Sequence, residues 1–443
     1  MAGTSAVGRF QTHLRMRRDL LQFLLDTVNR CGDIARIDLG FRQAYLLAQP
    51  DYIKYTLQEH RTNFCRGPTT HWLKSTWGEG LTISDGALWE RQRKLVQPAF
   101  HHKRIMALAD AIAGETEVML DQWNHSSRRA EQPLDMAAEM RELTTRTLLD
   151  AMFDRQARND RKEISRCIDV LVGDTNDNMS FPAHSLYRVL VPRTLLRLHA
   201  VRSLNRIVYR VISEMRHAPE DAGMVSMLLL ARDKETGEGM DDNQARAEVM
   251  SLFMAGREST SNALSWAWYL LAKNPHVERK LKAELDTVLG GRRPALTDLP
   301  RLSYTKMVIE ESLRLYPPAY KFTRQVIEDD EIGGHRIPAG SLVILSPWVT
   351  HRWSHLWENP DVFDPERFSP ERSEGRPRFA YYPFGAGPRA CIGSEFAMLQ
   401  AQLVVATVAQ RYRLSLIDGQ EVEPRPALTL QPRKGLMVVA NRQ

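Results

Sequence analysis

Cysteine is scarce in this sequence, and the spacing of the few cysteines excludes several kinds of site. The 443 residues include four of them, Cys31, Cys65, Cys167 and Cys391, and no two form a CxxC pair. Neither a zinc site nor a disulfide framework is therefore predicted, and a reducing compartment fits best.

Long apolar runs are also missing. The N-terminus is rich in arginine (Arg9, Arg15, Arg17 and Arg18) but has no apolar core of the signal-peptide kind. No stretch approaches the roughly 18 apolar residues of a membrane span. We therefore expect a soluble cytoplasmic protein with no membrane span.

The chain carries only a small excess of positive charge, and no linker divides its sequence into separate domains. The 60 Lys and Arg residues stand against 54 Asp and Glu residues, a net charge of +6 that is too small and too dispersed to predict nucleic-acid binding. No Pro/Gly/Ser-rich linker or long charge block interrupts the chain. We expect a monomer with one domain over residues 1–443, a partly flexible N-terminal segment over 1–30, and no fused reductase.

Helical periodicity dominates the apolar pattern. Helices are predicted over 86–98, 105–125, 134–152, 160–173, 201–216, 243–273, 276–289, 304–316 and 393–411, of which 243–273 is the longest. Short apolar runs between turn signals predict a small sheet over 33–60 and further strands after Pro317 and Pro318. The predicted class is mainly α with a minor β fraction.

The most informative stretch runs from Phe384 to Gly393 and contains Cys391. Its glycines and proline force a tight turn that would deliver the thiol at the head of a helix. Free N–H groups and positive potential there would favour a thiolate able to bind a metal. Phe384 would shield the sulfur from water, and Arg389 would offer a fixed fork to a carboxylate. The alternative is a buried cysteine that merely follows a turn.

The same loop also fits a phosphate-binding fingerprint, because residues 385–390 read GxGxxA before a predicted helix. Three features disfavour a dinucleotide site. Pro383 interrupts the preceding strand, the acidic residue Asp418 comes 28 residues after Ala390 where ~20 is usual, and only 25 residues follow it.

Phe384, Gly387, Arg389, Cys391 and Gly393 together match the FxxGxRxCxG haem loop of the cytochromes P-450. The chain resembles this family from about residue 32 to 439. The resemblance implies a mainly helical, triangular, single-domain fold. It also implies haem b as cofactor, held in a loop that includes Gly385, with Cys391 as the axial thiolate of the iron.

Two further motifs follow the family's order. Glu311 and Arg314, one helical turn apart before the double proline, and Arg367 resemble the family's charge triad, which supports the haem loop. Alone, such a helical pair is usually a solvated surface feature.

The longest predicted helix contains the sequence Ala-Gly-Arg-Glu-Ser-Thr at residues 255–260. Ala255 leaves space for a flat ligand, and the Ser259 hydroxyl can bond the Ala255 carbonyl, which would open a groove in the helix. The resemblance implies that Glu258 and the following alcohol deliver protons during O₂ activation. The family most often has Thr where Ser259 stands, so either Ser259 or Thr260 could serve.

The remaining predicted site residues would contact the haem propionates or the substrate. Trp89 and Arg93, spaced for one helical face, and Arg324 and Arg389 match propionate-binding positions, although a Trp–Arg pair is commonly a surface cation–π contact. The substrate pocket is predicted to be apolar and aromatic. Its predicted lining is Trp72, Leu73, Trp77, Phe253, Met254, Ala255, Ala319, Tyr320, Phe322, Leu428 and Leu430. His351 and His355 have metal-ligand spacing, but Arg352 stands where a zinc protease needs glutamate.

The resemblance implies a monooxygenase that uses O₂ and two external electrons to hydroxylate or epoxidise a lipophilic molecule such as a fatty acid, terpenoid, steroid or polyketide. The alternatives are a peroxide-driven or isomerising haem-thiolate enzyme and a non-enzymatic haem binder. Electrons would come from an external ferredoxin or flavodoxin with its NAD(P)H reductase. Residues 87–104 carry a local charge of +4 that could dock such an acidic donor, or could be an ordinary solvated helix. The basic residues there are Arg91, Arg93, Lys94, Lys103 and Arg104.

Overall fold

The computed structural model describes residues 12, 14–39, 42–67, 71–126, 133–153, 157–180, 192–217 and 223–443. The chain forms two compact units, each assembled from separate segments. The first, called the sheet unit, comprises Met1–His71, Glu311–Phe363 and Arg367–Cys391. The second, called the helical unit, comprises Trp72–Glu310, Asp364–Glu366 and Ile392–Gln443.

A five-stranded sheet organises the sheet unit. Its strands are β1 (Ile34–Asp38), β2 (Gln43–Leu47), β3 (Phe64–Cys65), β5 (Phe322–Val326) and β8 (Leu342–Leu345). Their order in the sheet is β1-β2-β8-β5-β3. The pair β2 and β8 is parallel and the other pairs are antiparallel. Strands β6 (Asp330–Ile332) and β7 (His335–Ile337) form a separate hairpin. Buried side chains of the sheet, among them Leu47 and Val343, pack with Phe379 and Tyr382, which lie just before the cysteine loop.

Four of the described helices also belong to the sheet unit. They are α1 (Leu20–Cys31), α2 (Pro50–Lys54), α14 (Pro347–Thr350) and α15 (Pro370–Ser373). Helix α1 begins where the Asp19 side chain accepts a hydrogen bond from the Gln22 N–H, and it buries Leu21, Leu24 and Val28 on one face. The predicted sheet over 33–60 is correct only as far as Leu47. A helix starts at Pro50, because proline is favoured in the first turn of a helix. This helix continues into a π-helical turn at Tyr55–Glu59.

Helices α3 to α12 and α16 build the helical unit, and α13 (Ser303–Leu315) runs from this unit into the sheet unit. The helices are α3 (His71–Trp77), α4 (Gly86–Val96), α5 (His102–Ala107), α6 (Ala109–Ser126), α7 (Met136–Phe153), α8 (Arg161–Ser180), α9 (Pro192–His217), α10 (Met224–Leu230), α11 (Asp242–Lys273), α12 (Pro275–Leu289) and α16 (Ser394–Arg411). Strands β4 (Leu134–Asp135), β12 (Met437–Arg442) and β9 (Tyr412–Leu416) form one small sheet, and β10 (Pro424–Pro426) and β11 (Leu430–Pro432) form another.

Helix α11 is the longest helix among the described residues, with 32 residues, and it packs against α7. It begins where Asp241 accepts a hydrogen bond from the Gln244 N–H, and Pro275 starts the next helix directly after it. The single helix predicted over 105–125 is wrong at its start, since α5 ends at Ala107 and α6 begins at Ala109. Within the described part of the chain, no helix combines the length and apolarity needed to cross a membrane.

Candidate active site

The cysteine loop is fixed by close backbone contacts inside the sheet unit. Gly385 and Gly387 adopt positive φ angles of 68° and 67°. A Cβ on Gly387 would lie 2.0 Å from the Leu57 carbonyl oxygen, so only glycine fits there. The Cys391 N–H donates to the Phe384 carbonyl oxygen at 2.8 Å, which closes the loop. The Cys391 residue is exposed, and α16 begins three residues later at Ser394.

A buried carboxylate between two guanidinium groups lies in the same unit. Glu311 accepts two hydrogen bonds from Arg314, at 2.7 Å and 2.8 Å, and its Oε1 lies 3.3 Å from Nε of Arg367. The Glu311 and Arg314 side chains have no exposed surface. The predicted triad residues are thus brought together, and Glu311 is the counter-ion for both arginines.

Every N–H of the Arg314 guanidinium has an acceptor. Besides Glu311, it donates to the carbonyl oxygens of His351 and Pro360, both at 2.7 Å, and of Val362 at 3.1 Å. The Trp357 ring covers this guanidinium, and the ring centroid lies 5.1 Å from Cζ of Arg314. Arg314 therefore fixes three backbone positions as well as the carboxylate, which an exposed ion pair cannot do.

His351 links the triad to the cysteine loop. Its carbonyl accepts from Arg314, and its Nε2 accepts from the Tyr382 N–H at 3.0 Å. The Tyr382 carbonyl in turn accepts from the Gly385 N–H at 3.0 Å. Burial, reinforced by the nearby Arg314 charge, holds the pKa of His351 well below its ordinary value, so the ring is neutral and can accept. The sequence did not predict this role of His351, because the pattern shows only its spacing to His355, which is exposed.

In the helical unit, the buried Glu258 belongs to a polar network that is centred on the buried Arg257 and extends to the exposed Asp169. The Arg257 guanidinium donates to Glu258 Oε1 at 3.0 Å, Asp169 Oδ1 at 2.7 Å, Thr145 Oγ1 at 2.8 Å and Ser165 Oγ at 3.3 Å. Burial raises the pKa of Glu258, and the Arg257 charge opposes that rise. The sequence predicted Glu258 but missed Arg257, since the partners on α7 and α8 are far away along the chain.

One narrow strip of α11 remains open although the helix around it is buried. Between Ala247 and Trp268, every residue is buried except Ala255, Gly256, Ser259 and Ala263. These residues lie within about a third of the helix circumference. The Ser259 hydroxyl donates to the Ala255 carbonyl oxygen at 2.5 Å, whereas Thr260 is buried. Gly256 has a different role from the other three residues, because its lack of a side chain lets Leu148 of α7 pack closely against the helix. A Cβ added to Gly256 would lie 3.2 Å from Cδ2 of Leu148.

The four predicted propionate contacts have different surroundings. Trp89 is buried on α4, and Arg93 lies one turn further along the same helix, half-buried. Arg324 is buried in β5 and donates to the Thr323 carbonyl oxygen, and Arg389 is half-buried in the cysteine loop.

Several predicted pocket residues belong to packed regions. Leu430 has no exposed surface, and Phe253 stacks on Phe153 with ring centroids 6.1 Å apart. Among the remaining predicted lining residues, Leu73, Trp77, Met254 and Tyr320 are buried, while Ala319, Phe322 and Leu428 are half-buried. The side chain of Trp72 lies outside the described residues.

The basic patch predicted over 87–104 is partly neutralised by an acidic loop of the same unit. Nη2 of Arg91 lies 3.6 Å from Glu238, and Nζ of Lys94 lies 3.3 Å from Glu235. Lys103 and Arg104 remain exposed. The sequence predicted the local excess of positive charge but not which acidic side chains would pair with it.

Comparisons with known proteins agree with these motifs. The family model for cytochrome P450 matches residues 5–439. Cyclooctatin synthase of Streptomyces melanosporofaciens is 40% identical over 94% of this chain and 90% of its own length. Cyclooctat-9-en-7-ol 5-monooxygenase of the same organism is 34% identical over 90% and 86%, and pentalenene oxygenase of Streptomyces avermitilis is 29% identical over 95% and 92%. The crystal structure of the cytochrome P450DA heme domain matches with a TM-score of 0.83 and 25% identity, covering 100% of this chain and 93% of the other.

The fold is that of a haem domain, and the activity of the class is monooxygenation. The chain belongs to the cytochrome P450 family. Its cofactor is accordingly a haem whose iron is bound by a thiolate. Within the sheet unit, the residues present fit that group, because an exposed cysteine stands on a loop whose backbone is fixed by two glycines and a closing hydrogen bond.

Proposed function

We propose that this monooxygenase hydroxylates or epoxidises a terpenoid. The observation that carries the proposal is the similarity to three terpenoid-modifying enzymes, led by the 40% identity to cyclooctatin synthase over nearly the whole chain. Fatty acids are the competing substrate class, because the human ultra-long-chain fatty acid omega-hydroxylase is 31% identical over 88% of this chain and 78% of its own length.

Cys391 is the thiolate ligand in this proposal, and the bound haem supplies the activation of O₂ by two electrons. The loop is suited to this role because Gly385, Gly387 and the closing hydrogen bond at Cys391 fix its backbone. The triad and His351 support the same loop through Tyr382. The propionates would be held by the indole and guanidinium groups named above, Trp89, Arg93, Arg324 and Arg389.

Glu258 and Ser259 are the proposed proton-delivery pair. Burial favours a proton on Glu258, while Arg257 keeps the carboxylate in place. Ser259 belongs to the open strip of α11 and Thr260 does not, which supports Ser259 as the alcohol. The bond from Ser259 to the Ala255 carbonyl would have to give way when the hydroxyl donates to a ligand.

A pair of alanine variants tests the choice of alcohol. Ser259→Ala is expected to uncouple NAD(P)H consumption from product and to divert electrons to hydrogen peroxide, because a proton donor is lost at the site. Thr260→Ala is the matched control, and its coupling should stay near that of the wild type. Unchanged coupling in Ser259→Ala, together with lost coupling in Thr260→Ala, would reverse the assignment.

The electron donor is proposed to be an acidic ferredoxin or flavodoxin with its NAD(P)H reductase. Lys103 and Arg104 are the better docking candidates on the basic patch, because Arg91 and Lys94 already face acidic side chains. Charge reversal at Lys103 and Arg104 should slow electron transfer at low salt, where exposed charges are least screened. Equal slowing by reversal at Arg91 and Lys94 would show that their intramolecular partners do not matter.

The protein is further proposed to be a cytoplasmic monomer. None of the four cysteines forms a disulfide, which suits a reducing compartment. Sedimentation of the haem-loaded protein would test the monomer directly.

Labelled oxygen tests the proposed reaction. Terpenoid hydrocarbons and alcohols, with fatty acids as the comparison set, are incubated with the protein, a ferredoxin, its reductase, NADPH and ¹⁸O₂. Product carrying ¹⁸O from a terpenoid, formed only with the complete electron supply, is the expected result. Product formed with hydrogen peroxide alone would indicate a peroxide-driven enzyme, and exclusive oxidation of fatty acids would refute the terpenoid assignment.

A further inference from the structure

One guanidinium in the helical unit serves two carboxylates. Nη1 of Arg257 donates to Glu258 Oε1 at 3.0 Å, and its Nη2 donates to Asp169 Oδ1 at 2.7 Å. The three side chains differ in their access to water. Arg257 is 1% exposed and Glu258 is 6% exposed, whereas Asp169 is 51% exposed. A buried cation therefore joins the proposed proton donor to a carboxylate that is in contact with solvent.

The Arg257 guanidinium is held in this bridging position by two hydroxyl groups. Its Nε donates to Thr145 Oγ1 at 2.8 Å, and its Nη2 also donates to Ser165 Oγ at 3.3 Å. The Thr145 hydroxyl uses its single proton in a 2.7 Å bond to the Arg141 carbonyl oxygen, so towards Arg257 it can only accept. Ser165 and Asp169 lie one turn apart on α8, which places both side chains on the same face of that helix. The bridge thus depends on the packing of α7, α8 and α11.

The charges around Glu258 act on it in opposite directions. Burial raises the pKa of the Glu258 carboxyl group most, and the positive charges of Arg257 and of Arg141 on α7 lower it. The negative charge of Asp169 on α8 raises this pKa again. Among the described residues, these three are the charged groups that act on Glu258. Asp169 therefore works with burial, and against Arg257, to keep a proton on Glu258.

A proton donor has to change its protonation state in every catalytic cycle. Glu258 would give up one proton to the site and regain one from water. A carboxylate that is the sole partner of a buried guanidinium forms a strong charge-assisted pair and resists protonation. Glu258 avoids this condition because its guanidinium is shared.

We propose that Asp169 is a positioning residue for proton delivery, because it takes a share of the Arg257 guanidinium and so prevents this cation from holding Glu258 in a fixed ion pair. The inference rests on the proposed function, which makes Glu258 the proton donor. It predicts that a half-exposed residue on another helix sets the pH range in which the protein delivers protons. Asp169→Asn removes the charge and can keep the hydrogen bond from Arg257, so this variant isolates the electrostatic effect.

Infrared spectroscopy of the haem-loaded protein tests the inference without turnover. The carbonyl band of the protonated Glu258 carboxyl group is identified by its loss in Glu258→Gln, and this band is then titrated with pH. In Asp169→Asn its midpoint should fall by about half a pH unit, which is a roughly threefold loss of proton affinity. The expected shift is modest because Asp169 is half exposed and its charge is screened by water.

Three further variants make the result specific. Asp169→Glu restores the negative charge and should return the midpoint towards that of the wild type. Glu163→Gln removes the same charge from the same helix and is the matched control, because Glu163 is not among the groups that act on Glu258. Arg257→Gln should raise the midpoint, since the opposing cation is lost. If Arg257→Gln does not fold, Asp169→Asn and its control carry the test.

Coupled turnover gives a second readout. It is measured as product per NADPH with a terpenoid that gives labelled product in the ¹⁸O₂ assay. Coupling should fall above the infrared midpoint, where Glu258 has lost its proton. The alkaline limit of coupling in Asp169→Asn should therefore lie at lower pH than in the wild type, and coupling should recover on acidification. A lower melting temperature at every pH, with the midpoint and the alkaline limit unchanged, would show a structural role only and would overturn the inference.

Failure of the proposed function gives a different result. Full coupling in Glu258→Gln would refute the proposed proton donor, and the inference with it. Loss of coupling in Glu258→Gln, together with an unshifted midpoint in Asp169→Asn, would overturn the inference about Asp169 alone.

Discussion

Replacing Glu311 with glutamine removes the charge at the centre of the triad while keeping the size of the side chain. In the wild type, this carboxylate compensates two buried guanidinium groups, Arg314 and Arg367. In the variant, both cations remain buried but lose the negative charge of Glu311. The three backbone carbonyls bound by Arg314 remain as acceptors, but they carry no net charge.

The expected loss of stability is large. Removing one partner of a buried ion pair costs about 3–5 kcal/mol, because the other charge is left uncompensated. Here the removed group serves two cations, so the upper half of that range is expected. Since Arg314 also fixes His351, which accepts from Tyr382, the loss should reach the cysteine loop and weaken haem retention.

Urea unfolding of the haem-loaded proteins measures this effect, with the reduced carbon monoxide spectrum as the readout of the loop. Glu366→Gln is the matched control, because Glu366 pairs with Lys280 on the surface and both side chains are about half exposed. That change should cost about 0–1 kcal/mol. A loss below about 1 kcal/mol in Glu311→Gln, with an unchanged spectrum, would refute the structural role given to the triad.

Two further perturbations have equally definite outcomes. Glu248 is fully buried, and burial raises the pKa of its carboxyl group from 4.5 to about 7. The folded state therefore binds the proton of this group more tightly than the unfolded state does. The free energy of unfolding should consequently fall by about 3 kcal/mol as the pH rises from about 4.5 through 7. Glu248→Gln should flatten that dependence in urea midpoints measured at several pH values, and identical pH profiles would contradict the assignment. Gly387→Ala should abolish haem-thiolate assembly, because its Cβ would clash with the Leu57 carbonyl, whereas Gly419→Ala, also at positive φ but with open space around it, should lose only about 1 kcal/mol. Equal haem incorporation by the two alanine variants would show that the close contact at Gly387 is not required.

Sequence reasoning was most successful where chemistry depends on local spacing. The loop around Cys391 has its turn residues within a few positions, and Glu311 and Arg314 are one helical turn apart. The order of α11, α12 and α13 also follows from apolar periodicity and from prolines at their ends. These features are encoded by neighbours in the chain, so periodicity and turn chemistry are sufficient to find them.

Contacts between distant segments could not be predicted in the same way. The parallel pairing of β2 with β8 joins residues about 300 positions apart, and local propensity carries no information about it. Arg257 meets Asp169 only because α8 packs nearby, and Arg91 meets Glu238 only because of a loop fold. The structural role of His351 was missed for the same reason, since it depends on Arg314 and Tyr382, which lie 37 and 31 positions away along the chain.

The spectrum of the reduced protein with carbon monoxide tests the assignment of Cys391 most directly. A thiolate ligand predicts a strongly red-shifted Soret band in the wild type, and Cys391→Ala should lose that band while the protein remains folded by circular dichroism. Cys167→Ala is the matched control, because that thiol is buried in the helical unit and should leave the band unchanged. A wild-type spectrum without the red-shifted band, or the band persisting in Cys391→Ala, would contradict the assignment of Cys391 as the iron ligand.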